Sequence, residues 1–577
     1  MRWWCRGTLA VLSLSLVAAS DKPKTPQLPL PTLGETIEVS IVNVDVFVTD
    51  KAGKRIHGLT KDDFEILENG VRQPLTNFAE YVSSDPLPAE EGGRRPGEGL
   101  APSQKRTIVV FAERFRLPKV KSDPLFGSMK KLLHDTIRPG DAATVVTWYH
   151  GRLETLQPYT DDLAALDRAL DALAAQNTSV THDEYAEARA EADDIRDFEL
   201  EAQAFAEQAG AGNVIPIMQE GAEDMRSLAG RSDALRARAD LELKVRTINA
   251  LIRSMAGFDG KRVLLLATHR LSRMAGAEFF WANGVNESID GLDRMELDTS
   301  RFIRSLYQTA NANGVAVYPM FPEGVGSSGA PVSAGGRSQI GGSPAYEYYI
   351  QDNEVPVLKE VARQTGGTAA WGTDDVAALM ANVRDDFETY YSLAYRTTPR
   401  SLDKARTVEV RTKDRSLRIR SRREVIEKSD VTRMEDHVLA SLIRPESGAT
   451  LPFSVKVGAP RGNGLRIPVS IRIPISALTV LPNGPNHSGG FSVYIAWGAK
   501  IGGISDATHE RQLFHIPSDD IARARKSYFT YDFEIAAHPH TERISVGLVD
   551  EVSREYGIRV YRLHPDAQAV LQPVRRQ

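Results

Sequence analysis

The stretch RTIVVFAERFRL, Arg106–Leu117, decides how the rest of this sequence is interpreted. Its first half, Thr107–Phe111, is a short apolar run rich in β-branched residues, which predicts a strand buried on both faces of a sheet. A polar loop, Ala112–Arg116, follows at once. In open α/β sheets, ligands bind in the crevice beyond the carboxyl ends of such strands. The side chains of this loop therefore bear directly on function.

The segment 105–398 alternates strand-like and helix-like runs, which is typical of a doubly wound α/β domain. Residues 182–253, rich in Ala, Glu, Asp and Arg, predict a helical insertion. That insertion is either an arm that contacts a partner or a hairpin packed on its own domain. Residues 324–343, rich in Gly and Ser, predict a flexible loop. The predicted strands are Thr107–Phe111, Ala143–Tyr149, Arg262–Ala267 and Val315–Met320.

The sequence patterns on both sides of this domain predict β structure. We predict a small β module at 36–84, a linker at 85–104 and a β extension at 399–428, with strands at Tyr391–Tyr395 and Thr407–Arg411. Residues 430–577 contain seven strand-like runs with turn chemistry between them, which favours a β-sandwich-like domain. The seven runs are His437–Ile443, Leu451–Val457, Leu465–Ile475, Gly490–Trp497, Tyr528–Ala536, Glu542–Val549 and Gly557–Leu563.

The N-terminus has the pattern of a signal peptide at 1–20, followed by a linker at 21–35. Arg2 and Arg6 precede the apolar run Leu9–Ala19, and small residues follow. This predicts a secreted or periplasmic protein. The alternative, an uncleaved membrane anchor, would need a longer run, since a span takes about 20 residues. No later run is long enough to cross a bilayer, and Cys5 is the only cysteine, so the mature chain has no thiol chemistry.

Composition and motifs argue against several classes of function. The net charge of −5 over 577 residues does not suit a nucleic-acid-binding protein, which is normally basic. The sequence contains no HExxH pair, no P-loop and no GxSxG between a strand and a helix. We therefore predict no catalytic residues and no cofactor.

Five segments of this chain resemble secreted bacterial proteins related to the von Willebrand factor A family, over about Thr36–Ile426. The segments are VDVFVTDKAGKRIHGLTKDDFEILENGVRQPLTNF, RTIVVFAERF, GFDGKRVLLLATHRLS, TANANGVAVYPM and LKEVARQTGGTAAWGTDDVAALMANVRDDFETYYSLAYRTT. The resemblance implies a doubly wound, Rossmann-like core. In the better-known relatives, a divalent metal at the carboxyl end of the sheet binds a protein ligand, whose carboxylate completes the oxygen shell.

That family site needs an Asp-x-Ser-x-Ser loop after the first strand, a Thr from a second loop and an Asp from a third. Here the first loop carries Glu113, and its serines are replaced by Arg114 and Arg116 or, in the other alignment, by Phe115 and Leu117. The arginines put positive charge where a cation would bind, at a cost of several kcal/mol per contact at ~4 Å. The sequence therefore predicts a degenerate site without a metal.

The other two positions also depart from the pattern. The strand Arg262–Ala267 runs into Thr268-His269-Arg270 instead of a Thr-Asp-Gly-like turn, and only the Thr has a candidate, at Thr178 or Thr181. The side chains here either bind an acidic group directly, as arginine suits, or the arginines pair with local acids such as Glu113 and do nothing further. The candidate ligand-binding residues are Glu113, Arg114, Arg116, Thr181, His269 and Arg270.

These features predict an exported, non-enzymatic scaffold of protein-binding or adhesion type that binds without a metal ion or cofactor. Its partner would be an unknown protein or envelope component, with no nucleic acid involved and no integral membrane segment after signal removal. One alternative is a secreted hydrolase or metal-dependent enzyme whose site is assembled from distant residues. Another is a structural envelope component whose C-terminal β domain binds saccharide or protein.

Overall fold

The computed structural model describes residues 40–82, 105–114, 119–149, 151–178, 194, 197–198, 200–209, 215–256, 258, 260–282, 291–321, 352–371, 373–397, 402–443, 450–459, 461, 466–499, 503–538 and 540–563. The predicted signal peptide, both predicted linkers and the predicted flexible loop at 324–343 lie outside these residues. Within the described part, no helix combines the length and the apolar character that crossing a membrane requires.

The chain alternates between β-rich and mixed regions. The strands are β1 (Ser40–Thr49), β2 (Phe64–Glu68), β3 (Val71–Gln73), β4 (Leu75–Val82), β5 (Arg106–Glu113), β6 (Ala142–Tyr149), β7 (Arg152–Thr160), β8 (Lys261–Ala267), β9 (Val315–Phe321), β10 (Ala370–Trp371), β11 (Thr389–Thr397), β12 (Ala405–Thr412), β13 (Arg418–Ser421), β14 (Glu424–Ile426), β15 (Ser454–Val457), β16 (Arg466–Pro474), β17 (Leu481–Asn483), β18 (Asn486–Ala499), β19 (Thr508–Pro517), β20 (Tyr528–Ala536), β21 (Thr541–Asp550) and β22 (Tyr556–Arg562). The helices are α1 (Lys119–Thr136), α2 (Leu163–Thr178), α3 (Ile215–Ser254), α4 (Ala277–Ala282), α5 (Gly291–Leu297), α6 (Ser300–Ala312), α7 (Val355–Thr365), α8 (Thr373–Glu388), α9 (Asp430–Ile443) and α10 (Ile521–Ala524).

A six-stranded sheet forms the centre of the α/β unit, in the order β10-β9-β8-β5-β6-β7. All neighbours are parallel except β7, which runs antiparallel to β6 at the edge. Counted within the unit, this is the order 6-5-4-1-2-3 of doubly wound sheets. Every residue of β5 is buried, because helices cover both faces. The predicted mixed α/β class is confirmed, and its four predicted strands are present as β5, β6, β8 and β9.

Two apolar layers hold the helices on this sheet. Helices α1, α2 and α8 pack on one face, and α3, α6 and α7 pack on the other. Helix α6 illustrates the pattern, since its buried residues Ile303, Leu306, Tyr307 and Ala310 fall at helical spacing on one side. The result is a rigid base that fixes where each strand ends.

The Thr-Gly-Gly motif after α7 sets how closely that helix approaches the sheet. Gly366 ends the helix with φ of +81°, a left-handed conformation that favours glycine. A Cβ on Gly367 would lie only 2.0 Å from the carbonyl oxygen of Val317 in β9. Glycine is therefore required here for close packing.

The β-rich segments before and after the α/β unit fold together. Strand β1 pairs antiparallel with β11, and β2 pairs with β12. Two sheets, β13-β1-β11-β4 and β14-β12-β2-β3, share one apolar core. The domain boundaries predicted from the sequence separate residues 36–84 from 399–428 and place Tyr391–Tyr395 within 105–398. Local sequence patterns do not reveal that such distant strands pair with one another. We call this structure the double-sheet unit.

Asp386, at the end of α8, joins the double-sheet unit to the α/β unit. Its carboxylate accepts hydrogen bonds from Arg420 Nη2 (2.5 and 2.7 Å) and from the Tyr318 hydroxyl (2.5 Å), and it also pairs with Arg55. Asp386 is 1% exposed. These cations outweigh the burial that would raise the pKa of Asp386, so that pKa lies below its usual range. The buried, ionised carboxylate of Asp386 thus connects the two units, and we call Asp386 with its three partners the hub.

The C-terminal region contains two antiparallel sheets that share one core. Strands β15-β16-β20 form one sheet, and β17-β18-β21-β22 with β19 on β18 form the other. The predicted strand His437–Ile443 is wrong, because it lies in helix α9. The helix forms because Met434, Val438 and Leu442 recur at helical spacing and bury one face against β18 and β21.

Candidate functional site

The crevice of the α/β unit opens where β5 and β8 end. These strands are neighbours, and the chain leaves β5 toward β6 on one side but leaves β8 toward β9 on the other. This reversal of strand order is the position at which doubly wound sheets bind ligands. Glu113 is the last residue of β5, and Thr268 and His269 directly follow β8. Parallel pairing between the two strands brings these residues together.

The carboxylate of Glu113 is enclosed by donors. Lys244 Nζ lies 2.7 Å from Oε1, and the Thr268 hydroxyl donates to Oε2 at 2.8 Å. The main-chain N–H of His269 donates to the same Oε2 at 3.2 Å, and its ring Nδ1 lies 3.1 Å away. Lys244 Nζ also donates to the carbonyl oxygen of His269 at 3.2 Å. The amide of Asn177 donates to the main-chain oxygen of Glu113 at 3.3 Å.

Burial and charge act in opposite directions on Glu113. The residue is 5% exposed, and this burial raises the pKa of its carboxyl group. Nearby His269 and Lys244 outweigh that effect and hold the pKa well below its usual range. Glu113 is therefore ionised, and its charge is neutralised inside the protein by the ammonium of Lys244.

Sequence reasoning missed Lys244, although a signal is present. Leu241, Val245 and Ile248 of α3 are buried against the sheet. With Lys244 they follow the spacing i, i+3, i+4, i+7, so the lysine falls on the apolar stripe of the helix. A lysine on such a stripe is rarely buried without a partner. The pattern alone does not identify which acid it meets.

Arg270 and two further acids extend the network. Arg270 has φ of +53°, and its Nε lies 3.7 Å from Glu278 Oε1. Its main-chain N–H donates to Glu354 Oε2 at 3.2 Å. Burial, followed by the nearby Glu278 carboxylate, raises the pKa of Glu354 to about 7, against the opposing effects of His269 and Arg270. Glu278 and Glu354 thus lie beside the Glu113 cluster, to which they are connected through the consecutive residues His269 and Arg270.

Three of the six sequence-predicted site residues, Glu113, His269 and Arg270, are brought together here. Arg114 lies apart from them, because its main-chain N–H donates to Trp148 O at 2.8 Å and its Nη2 lies 2.5 Å from Glu154 Oε2. The predicted residues Arg116 and Thr181 lie outside the described residues. Glu113 pairs with Lys244 and His269, whereas Arg114 contacts Glu154 and Arg270 contacts Glu278.

Within the described residues, no three His, Cys, Asp or Glu side chains are grouped so that they could hold a metal ion. At the carboxyl end of β5, the Glu113 carboxylate faces the ammonium of Lys244. The residues present therefore suit a fixed internal cation better than a metal.

The helical insertion exposes large apolar side chains. Residues 200–208 are helical, and α3 supplies a second helix of the insertion. The C-terminal half of α3 is buried against the sheet, whereas its earlier part and the first helix carry exposed apolar groups. We define the arm surface as Phe198, Leu200, Phe205, Met225 and Leu228, which are 57–74% exposed.

Comparisons with known proteins give little further information. No protein-family model matches this chain, and no curated protein matches it. Among solved structures, it is similar to the crystal structure of an aerotolerance-related membrane protein from Bacteroides fragilis NCTC 9343 with multiple mutations to serines. That likeness covers 49% of this chain and 98% of the other, at 9% identity and a TM-score of 0.23. So low a TM-score gives no basis for carrying over a fold or an activity.

Proposed function

We propose that this protein is an exported, non-enzymatic scaffold of protein-binding or adhesion type, related to the von Willebrand factor A family, that acts without a metal ion. The strand order of the central sheet and the crevice at the end of β5 support the family assignment, since the metal-dependent relatives use this same edge. The pattern of residues 1–20 supports export. The charge network at the crevice supports metal independence.

The observation that carries this proposal is the ion pair between Lys244 and Glu113, with Nζ 2.7 Å from Oε1. In the metal-dependent relatives, a hard cation takes oxygen ligands at this edge and the partner's carboxylate completes the shell. Here a fixed ammonium already neutralises the carboxylate. A further cation at ~4 Å from that ammonium would be repelled by about 4 kcal/mol per unit charge at an effective dielectric constant of ~20. Recognition would then depend on side chains alone.

The arm surface supports a protein as the ligand. Its five apolar side chains are far more exposed than the buried residues of the same helices. Contiguous exposed apolar patches mark interaction sites on soluble proteins, and all five side chains belong to the same insertion in the sequence. Of the two readings of the insertion, an arm that contacts a partner and a hairpin packed on its own domain, this exposure favours the arm.

Thermal unfolding tests metal independence. We expect the same Tm with Mg²⁺, Mn²⁺ or Ca²⁺ as with potassium chloride at equal ionic strength, because only a ligand that binds the folded state raises stability. Metal analysis of the purified protein should find no stoichiometric divalent ion. A specific, saturable rise in Tm with one of these ions would contradict the proposal.

Affinity capture from the native envelope, with EDTA present throughout, tests protein binding. We expect wild type to retain a partner that the triple variant Phe198→Ser, Phe205→Ser, Leu228→Ser loses. The matched control, Val120→Ser with Tyr528→Ser, removes equally exposed apolar groups elsewhere and should retain the partner. Capture of a partner by wild type only when EDTA is left out, or equal loss from both variants, would refute metal-free binding through the arm surface.

The arginine hypothesis for the crevice has its own test. Charge reversal at Arg114 and Arg116 should weaken capture if these side chains bind an acidic group of the partner directly. Because charge reversal at Arg114 would place an acid against Glu154, Glu154→Lys is made in the same variant to keep the ion pair. Unchanged capture by the reversed variant would restrict recognition to the arm surface.

One observation favours the alternative of a secreted enzyme. Glu354 has a pKa raised to about 7 by burial and by Glu278, and acid–base catalysts are tuned to such values. Both acids are almost fully buried, at 4% and 2% exposure, and Arg270 contacts both, which suits a structural network better. Turnover of ester or glycoside substrates by wild type, lost in Glu354→Gln, would favour the enzyme.

A further inference from the structure

The exposed charge around the arm surface is of one sign. Among the described side chains of residues 194–230, seven carboxylates are exposed and no lysine or arginine is. The seven are Asp194, Asp197, Glu201, Glu207, Glu220, Glu223 and Asp224. Arg226 is half-buried, and the next base along α3, Arg231, lies 3.0 Å from Glu296 Oε2. The described surface of the insertion before Arg231 is therefore acidic.

These seven acids are not compensated within the protein. In the described part of the chain, none of them takes part in an ion pair or a side-chain hydrogen bond. Glu113 and Asp386, in contrast, each face cations of the protein itself. Glu220 and Asp224 are four residues apart in α3, and like charges at this spacing destabilise a helix. A cationic partner would relieve that repulsion.

Acidic and apolar side chains are neighbours on both helices of the insertion. Glu201 precedes Phe205 by four residues in the helix at 200–208, and Asp224 precedes Leu228 by four residues in α3. Side chains four residues apart lie next to one another on the surface of a helix. Phe205 is 74% exposed and Leu228 is 68% exposed. Each of these apolar groups thus has an exposed carboxylate one helical turn away.

We propose that the arm surface binds a basic amphipathic helix of the protein partner, in which lysines or arginines flank an apolar stripe. The stripe would cover the exposed apolar side chains, and the basic groups would meet the carboxylates beside them. Opposite potentials select such a partner, whereas like charge excludes nucleic acids and anionic lipid surfaces. This inference rests on the proposed protein-binding function and specifies the chemistry of the partner.

Titration calorimetry of the purified protein with synthetic peptides tests this proposal. The probe is a peptide of Leu and Lys, about 18 residues long, with its leucines at helical spacing on one face. Two matched peptides replace every Lys by Glu or scramble the same composition so that no apolar stripe forms. We expect the probe to bind saturably with a Kd of about 100 μM or tighter, weakened by salt, and each matched peptide to bind at least about tenfold more weakly. No saturable binding of the probe up to about 1 mM, or equal affinity for either matched peptide, would overturn the proposal.

Charge reversal locates the binding. Glu201→Lys with Asp224→Lys should weaken binding of the probe at least about tenfold, because each change replaces an attraction by a repulsion. The same variant should bind the Glu-containing peptide more tightly than wild type does. The control, Asp62→Lys with Asp519→Lys, reverses two exposed acids outside the insertion and should keep the affinity within about twofold of wild type. Equal affinities of the two variants for the probe would overturn the proposal.

Capture of the native partner separates this inference from the proposed function. We expect the partner to be lost both from the triple serine variant of the arm surface and from Glu201→Lys with Asp224→Lys. Loss from the serine variant with full retention by the charge-reversed variant would overturn the basic helix and leave protein binding through the arm surface in place. Retention by both variants would overturn the two proposals together.

Discussion

Replacing Lys244 by methionine should destabilise the α/β unit by about 3–5 kcal/mol at pH 7. Both members of the Lys244–Glu113 pair are buried, with side chains 3% and 6% exposed and 2.7 Å between Nζ and Oε1. Methionine keeps the aliphatic length but removes the ammonium, so the Glu113 carboxylate stays buried without its cation. Removing one partner of a buried ion pair costs this much, because the remaining charge is uncompensated.

The pH dependence gives this prediction a second readout. The pKa of Glu113 is lowered in the folded protein, so its contribution to stability is present above the unfolded value of about 4.5 and is lost as pH falls. Lys244→Met should raise that pKa, since burial then acts with less opposition. The difference in stability between wild type and variant should therefore be largest near neutral pH and should narrow below about pH 4.5.

Denaturant unfolding of the full chain, followed by tryptophan fluorescence, is a suitable assay, since Trp148 is buried in β6 beside the crevice. The double variant Lys244→Met, Glu113→Gln should return to within about 1 kcal/mol of wild type, because no charge is left unpaired. Lys130→Met, which breaks an exposed pair with Asp171, is the control and should cost less than about 1 kcal/mol. A cost below about 1 kcal/mol for Lys244→Met, or strictly additive single changes, would refute this reasoning.

Three other changes test the remaining parts of the structure by the same unfolding assay. The pKa of Glu354 is raised from 4.5 to about 7, so the contribution of this group to stability is full below pH 4.5 and falls as pH rises through 7. Glu354→Gln should remove that loss of stability, which is about 3 kcal/mol at pH 8. The same variant should leave stability near pH 4.5 unchanged. Asp386→Asn should cost about 3–5 kcal/mol, whereas its half-exposed neighbour Asp385→Asn should cost less than about 1 kcal/mol, and equal costs would contradict the hub. Gly367→Ala should lower stability by about 3 kcal/mol or more, since its Cβ would meet Val317 O at 2.0 Å; an unchanged midpoint would mean that the helix moves freely.

The strands of the α/β unit could be predicted because each is a continuous apolar run buried on both faces. Thr107–Phe111 lies entirely within β5, and Val315–Met320 lies within β9. The antiparallel edge strand β7 was missed, since its half-buried residues carry no such run. Burial on one face only leaves a weak signal that neighbouring turns obscure.

Long-range pairing was beyond the sequence for a different reason. Strand β1 pairs with β11 across the whole α/β unit, and an apolar alternation indicates that a strand has a buried face without indicating its partner. The same limit explains α9, where His437–Ile443 contains β-branched and apolar residues compatible with either period. Met434, which starts the helical stripe, lies just before that run. A window begun earlier would have favoured the helix.

The charge pair at the crevice shows what else a sequence can offer. Glu113 at the end of a fully buried strand and Lys244 on the buried stripe of α3 would each be costly alone. Two buried charges of opposite sign neutralise one another if the fold brings them together. The doubly wound sheet brings Glu113 and Lys244 together at the point where its strand order reverses. A search for opposite charges on segments that are predicted to be buried, rather than for family motifs, would therefore have selected Glu113 and Lys244.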